Sequence, residues 1–373
     1  MNKLRFGDLF DYEKKSKIKA GNGLKNNEGK YPLFTSSNTL SKSINNFTFS
    51  DSSLIFGTGG MPSVHFCDDE FAVSTDCLVA QPIDKTAVFV KYVYYFFTQN
   101  NMRLLEEGFK GAGLKHISRN YIDKLQIPLP SIKIQQHIAC ILDDAAALRN
   151  KTAQLLEEYD LLAQSIFLEM FGDPVLNEKK WEVKKLEKVC AKITDGTHQG
   201  PKFRTEGIPF LLVSNIVNNE VIYETKKFID DEEYTKLTKS TKIEVGDLLY
   251  TSVGSYGNPA IVRDVRKFCF QRHIAHIKVK SELINVTFLH AMMKSPLIKR
   301  QADRFAVGAA QKTLNLKTIR NFEIFHPPLD KQNQFAEKIA IIEQQKKIAK
   351  QELQESEDLF NCLLQKAFKG ELV

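Results

Sequence analysis

The sequence predicts an α+β protein: two mixed α/β globular domains separated by a long antiparallel two-helix coiled coil and related by a pseudo-twofold internal repeat. Three observations predict it. Two stretches carry an apolar seam at alternating spacings of four and three residues. The approaches to those stretches repeat with a period of about 200 residues. Positive charge is concentrated outside them.

The first seam runs Ile134, Ile138, Ile141, Ala145, Leu148, Thr152, Leu155, Tyr159, Leu162 and Ile166, with no Gly or Pro inside it. Gly172 and Pro174 stop it. The second runs Phe335, Ile339, Ile342, Lys346, Ala349, Leu353, Ser356, Phe360, Leu363 and Ala367, and Gly370 ends it. This rhythm is that of a coiled-coil seam. At 1.5 Å per residue each helix spans about 50 Å, and a stripe of that length needs a partner. Thr152, Lys346 and Ser356 are seam positions suited to fixing register.

The approach GAGLKHISRNYIDKLQIPLP from Gly111 matches GAAQKTLNLKTIRNFEIFHPP from Gly308. Lys115 aligns with Lys312, Ile117 with Leu314, Ile122 with Ile319, Leu125 with Phe322 and Ile127 with Ile324. Pro130 aligns with Pro328 after one inserted residue. Gln-rich helix starts follow, Gln135–Gln136 and Gln332–Gln334. The chain thus reads as a first globule over 1–131, a helix over 132–174, a second globule over 175–329 and a helix over 330–373. The first globule is shorter by about 25 residues. Strands are expected at 31–35, 53–57, 71–74, 77–81, 209–213, 247–251 and 273–279, and helices at 88–105 and 284–302.

With 43 % hydrophobic residues the chain holds enough apolar mass for large cores, which excludes wholesale disorder. No run approaches the roughly 18 apolar residues of a membrane span, and residues 1–8 do not read as a secretory signal, so a cytoplasmic location without membrane association is expected. The six cysteines lack CxxC spacing, and the eight histidines complete no zinc set, so no metal is expected. His273 and His276, three apart on a strand, fall on opposite faces. GTGG at 57–60 lacks the Lys-Ser/Thr ending of a phosphate-binding loop. NPPY and DPPY motifs are absent, so no catalytic residues are assigned.

The net charge of +7 divides unevenly. Segments 1–131 and 175–329 carry +3 and +9, whereas 132–174 and 330–373 carry −4 and −1. The globules, not the helices, are therefore the parts suited to a polyanion, held in a salt-dependent way.

This duplicated plan resembles the DNA-specificity subunit of Type I restriction–modification enzymes. WEVKKLEKV, ITDGTHQGPKF at 193–203, GIPFLLVSNI at 207–216, EVGDLLYTSVGSYGNPAIV at 244–262 and LLQKAFKGEL at 363–372 carry the resemblance, together with both helix approaches. It implies two target-recognition domains that read an asymmetric, bipartite site on double-stranded DNA, about one helical turn between half-sites. It implies no catalysis by this chain. Two methyltransferase subunits would dock on it, bind S-adenosylmethionine and modify adenine. Motor-nuclease subunits using ATP and Mg would cut unmodified DNA. Two alternatives remain at this point: a recognition subunit for a Type II bifunctional restriction–methylation enzyme, and a coiled-coil scaffold with no DNA role.

Candidate DNA contacts are polar residues in the repeated loops. In the first globule they are Ser36, Ser37, Asn38, Thr58 and Lys115. In the second they are Thr197 and His198 of DGTH, then Lys202 and Arg204, which suit phosphates. Ser252, Ser255, Tyr256 and Asn258 of the glycine turn follow, with Arg272 and Lys312. Asn258 suits adenine and Arg272 guanine. Gly111, Gly308, Ile127, Ile324, Pro130 and Pro328 read as framework.

Overall fold

The computed structural model describes residues 2–98, 101–198, 200–239, 242–308 and 312–372. It divides into two compact units, Met1–Gln154 with Lys350–Val373, and Leu155–Ala349. Each unit holds one globule and a stretch of both long helices, Ile132–Phe171 and Leu329–Lys369.

Both globules use one frame. Lys3–Arg5 pairs antiparallel with Gln126–Pro128, and Val183–Lys185 pairs the same way with Glu323–Phe325. A short helical turn follows each, Phe6–Leu9 and Leu186–Val189. The main antiparallel sheet of the first unit orders Phe10–Tyr12, Cys77–Pro82, Ser53–Gly57 and Ser63–Cys67. In the second unit the same order is Cys190–Asp195, Ile274–Val279, Leu248–Thr251 and Pro259–Ile261. A smaller sheet in each contains one parallel pair, Tyr31–Phe34 beside Ala72–Val73 and Ile208–Leu211 beside Cys269–Phe270.

Several expectations are corrected. The helix expected over 88–105 is two, Val90–Phe97 and Met102–Glu106, with Thr98 turning back to donate to the Tyr95 carbonyl; Gln99 and Asn100 lie outside the described residues. The helix expected over 284–302 breaks into Val286–Met293 and Pro296–Phe305, because Pro296 starts a new first turn. Pro130 is equivalent to Pro327, not Pro328: Gln135 and Gln332 each donate five residues back, to the Pro130 and Pro327 carbonyls, at 2.8 Å in both. From the entry strand to the exit strand the second copy is 17 residues longer; most of the rest of the difference of about 25 lies in 175–182, which precede its frame.

The second helix buries most of its expected seam, with Phe335, Ile339, Ile342, Ala349, Ser356, Phe360 and Ala367 inside, but Leu364 replaces Leu363, and Lys346 and Leu353 are only half-buried. The first helix departs from its seam at Ile141, Leu148 and Leu162. Ile138, Ala145 and Thr152 are buried, but Leu142 replaces Ile141, and Leu148 and Leu162 are half exposed. Leucines occur on both faces of this helix, so the apolar pattern alone fits two phases. Thr152 and Ser356 donate to carbonyls one turn back in their own helices, while Lys346 reaches Asp160 at 2.7 Å.

Within each unit, helix residues complete the globule's core. In the first, Ile138, Leu142 and Ala145 join Phe360, Leu364 and Ala367 around Tyr92, Tyr95 and Phe96. Phe368 packs on Tyr92 and Phe96 with ring centres 5.2 and 5.4 Å away. In the second, Phe167 and Phe171 meet Phe288, Phe325 and Phe335. There Phe171 meets Phe335 and Asp160 meets Lys346, so the two helical stretches run antiparallel. Gly172 and Gly370 end the helices at φ +80° and +83°, the left-handed geometry glycine supplies cheaply.

The start of each long helix is clamped by a fully buried glutamine. Gln135 Oε1 accepts from the Phe89 N–H at 2.8 Å, and its amide donates to the Ala87 and Pro130 carbonyls. Gln332 repeats the clamp on the Asn285 N–H and the Pro327 and Leu283 carbonyls.

Candidate nucleic-acid interface

The proposed contact residues are positioned by backbone hydrogen bonds that recur in both units. In the first, the Thr75 N–H donates to the Ile18 carbonyl, Thr58 to Asp76, Gly60 to Lys115, and Ile117 to Thr58. In the second, Arg272 donates to Thr197, Ser252 to His273, Gly254 to Lys312, and Leu314 to Ser252. These eight bonds measure 2.8–3.1 Å. They tie four separate segments into one surface in each unit. The equivalent side chains then differ: Thr75 and Asp76 stand where the second unit has Arg272 and His273.

In the first unit, Ser36, Ser37, Asn38, Thr58 and Lys115 fall around this surface. Ser36 Oγ and Thr58 Oγ1 both donate to the Asp76 carbonyl, at 2.8 and 3.0 Å. Gly57 allows this crowding, since a side chain there would strike Ser63 and the Ser36 backbone. Ser37 Oγ lies 3.1 Å from Thr39 Oγ1 and its carbonyl accepts from His65 Nε2 at 2.7 Å. Asn38 and Lys115 are exposed. His116, which sequence reasoning passed over, donates from Nδ1 to the Thr58 carbonyl at 3.1 Å.

In the second unit, Thr197, Ser252, Arg272 and Lys312 meet on the equivalent surface, with Arg272 and Lys312 exposed. Ser252 is buried, so it supports the turn rather than facing outward. His198 Nε2 pairs with Asp195 at 3.0 Å. In the glycine turn, Asn258 Nδ2 donates to the Ser255 carbonyl at 2.8 Å, so its amide closes the turn. Tyr256 donates to Asp303 at 2.7 Å, and this bond raises the phenol pKa. Ser255 is exposed. Lys202 and Arg204 sit apart from this group, beside the smaller sheet. The Arg204 N–H donates to the Phe228 carbonyl, and its guanidinium is paired with Asp230 at 3.0 Å. Asp230 also caps the helix Asp231–Thr238. Gln199 of DGTHQG and residues 309–311 of GAAQK lie outside the described residues.

Sequence reasoning missed a polar cluster on the main sheet of the second unit, centred on the buried Asp247 and His276. Asp247 lies 2.6 Å from His276 Nε2 and 2.9 Å from Lys278 Nζ, with Glu244 on Lys278 at 2.9 Å. Burial works to raise the Asp247 pKa, but His276, Lys278 and the Glu244 N–H outweigh it and hold it below its ordinary value. His276 sits 29 residues from Asp247, so no local motif announces the pair. At the matching place in the first unit Gln81 Nε2 donates to Ser53 Oγ at 3.1 Å. Among the described residues no group of three His, Cys, Asp or Glu side chains is arranged to hold a metal. No described helix is long and apolar enough to cross a membrane.

A duplicated α/β frame that delivers two differently furnished loop surfaces defines a class of paired recognition modules. The Type I restriction modification DNA specificity domain matches residues 1–158 and 178–357, and the chain belongs to that family. It is 23 % identical over 266 residues to the Type I restriction enzyme MjaVIII specificity subunit of Methanocaldococcus jannaschii, covering 66 % of this chain and 62 % of the relative. It is 24 % identical over 312 residues to the EcoBI specificity subunit of Escherichia coli, covering 76 % and 66 %. The chain thus spans less than two thirds of either relative. The fold is similar to the crystal structure of a Type I restriction–modification S subunit from M. genitalium, with TM-score 0.68, 19 % identity and coverage of 98 % and 96 %.

Proposed function

We propose that the chain is the DNA-specificity subunit of a Type I restriction–modification complex and reads an asymmetric, bipartite target on double-stranded DNA. The observation that carries this is the pair of equivalent loop surfaces, held by the same four backbone bonds and furnished with different side chains. Arg272 and Lys312 in the second unit, and Lys115 with the Ser36–Asn38 loop in the first, face the duplex in this reading. Arg272 beside His273 and Thr75 beside Asp76 differ in sign, so the two half-sites differ in letters. Ser252 and Asn258 act as supports of these loops, and Arg204 supports the segment beside the smaller sheet.

Catalysis belongs to partners. Two methyltransferase subunits, which bind S-adenosylmethionine, methylate adenine, and motor-nuclease subunits use ATP and Mg. This chain binds neither cofactor. Leu148, Leu161, Leu162, Ile341 and Ile348 are exposed along the helices and supply apolar surface for such docking. The complex works in the cytoplasm, where the DNA is.

The test is single-molecule methylation mapping of DNA from cells with the chain and its neighbouring methyltransferase gene, against cells lacking only the chain. Adenine methylation at one asymmetric, gapped motif is expected to vanish with the chain. Unchanged methylation by an active methyltransferase would sink the assignment.

A further inference from the structure

The second unit contains a basic cleft whose counterpart in the first is filled. It lies between the helix Pro296–Phe305 and the short helix Leu316–Arg320, and encloses about 570 Å³. Arg300, Arg304 and Lys317 line it against one carboxylate, Glu323. All three cations are exposed, and none has an ion pair among the described residues. Phe305 stands half exposed at the same cleft, with the Arg304 guanidinium 5.4 Å from its ring centre. The walls are fixed: Gln301 and Glu323 exchange two hydrogen bonds, at 2.8 and 2.9 Å, which pin the longer helix to the exit strand.

The first unit fills the same place. Ser118 and Asn315 are equivalent caps, accepting from the Tyr121 and Thr318 N–H groups. Tyr121 therefore stands where the second unit has Thr318, and its hydroxyl crosses to the Leu104 carbonyl at 2.9 Å. Gly108 stands where the second unit has Phe305, and a side chain there would strike the Tyr121 ring. Glu107 stands where the second unit has Arg304, and it is paired with Arg103 at 3.2 Å. The first copy is plugged and neutralised; the second is open and carries a net excess of two positive charges from its lining groups.

We propose that Arg300, Arg304 and Lys317 hold the phosphodiester backbone of the duplex beside the second half-site, so that this half is gripped by charge at a place where the first half is not. The inference rests on the DNA-specificity reading above. Continuity favours DNA as the occupant. Phe305 leads directly into Val307, which is bridged to Thr313 beside Lys312. The same helix also reaches the glycine turn, where Tyr256 donates to Asp303, the residue before Arg304. The cleft is thus an extension of the loop surface, and three cations with one ring suit a phosphate–sugar strand.

The test uses the assembled methyltransferase complex and a duplex of about 40 base pairs carrying the motif mapped in cells, with a scrambled duplex beside it. Affinity is measured across roughly 50–300 mM salt. For R300A/R304A/K317A, the slope of log affinity against log salt is expected to shrink by about 2–3, with affinity near 0.1 M salt down about 100-fold and the motif unchanged. R300K/R304K/K317R should restore the slope, which a merely damaged fold would not do. An unchanged slope with a wild-type complex that discriminates the motif overturns the proposal alone. Loss of the methyltransferase from the variant complex also overturns it, by assigning the cleft to an acidic protein segment. If the wild-type complex binds both duplexes alike, the specificity reading fails and the inference falls with it.

Discussion

The two globules share their bonds but not their surfaces. Entry and exit strands, the order of the main sheet, the parallel pair of the smaller sheet, the glutamine clamp and the four loop bonds recur residue for residue. The furnishings on that frame diverge: Arg272 against Thr75, the Asp247–His276–Lys278 cluster against Ser53 and Gln81, the open basic cleft against the Tyr121 plug. The comparison teaches that the frame accepts a carboxylate paired with His276 and Lys278 where the other copy has a neutral Ser–Gln pair. What the copies keep is backbone geometry; what they vary is chemistry presented from it.

The largest expected effect breaks the shared frame. Gln135→Leu or Gln332→Leu leaves a buried N–H and buried carbonyls unpaired, at a cost of about 4 kcal/mol in either unit. Thermal melts and hydrogen exchange of the helix starts should show losses of similar size, and a clearly unequal pair would show that the clamps are not equivalent. Next comes the charged interior that only the second unit has. Asp247→Asn removes the carboxylate from His276 and Lys278 and costs about 3 kcal/mol. The Asp247 pKa is depressed in the fold, so its contribution is complete above its unfolded value, about 3.9, and is lost as pH falls through the lower folded value. Exchange protection of Ile274–Val279 should therefore fall on acidification below about pH 4 in the native chain and lose that step in D247N. Cys77–Pro82, with Gln81 on Ser53, should lack this step throughout.

A smaller effect sharpens the difference in reading. Arg272→Ala should weaken target binding by about 2 kcal/mol and relax one position of the second half-site, leaving the first half-site intact. A mapped motif that keeps every letter would remove Arg272 from base readout. Smallest is the symmetrical pair Lys115→Ala and Lys312→Ala. Each should lower the salt slope by about 1 without altering the motif, and a change of motif would make either lysine a base reader rather than a phosphate contact.

Much of the frame was legible because it is written in local signals. Glycines end both helices, prolines precede them, and matched strands run into matched glycine turns. The phase of the first long helix was not legible, because apolar residues occur all round it: Leu148 and Leu162 of the expected seam, and Leu161 and Leu168 on another side, are exposed. Pro327 was overlooked for Pro328 because adjacent prolines look alike until the Gln332 bond selects one. The exposed candidates for the proposed interface, Asn38, Lys115, Ser255, Arg272 and Lys312, were chosen from their loops. The supporting roles of Arg204, Ser252 and Asn258 depend on Asp230, the His273 carbonyl and the Ser255 carbonyl, partners that only the folded chain selects. The cleft at Arg300, Arg304 and Lys317 was invisible because its cations come from two helices and its meaning from a glycine elsewhere in the chain.

The composition of the first unit sets an order of events during synthesis. Phe360, Leu364 and Ala367 belong to its core, yet they are made after the whole second globule. A ribosome therefore releases the first globule with Tyr92, Tyr95 and Phe96 uncovered, and the last helical turns close it. Loss of Lys350–Val373 would injure the part of the protein translated first, and the nascent chain must wait, with that apolar seam open, for most of its length to be made.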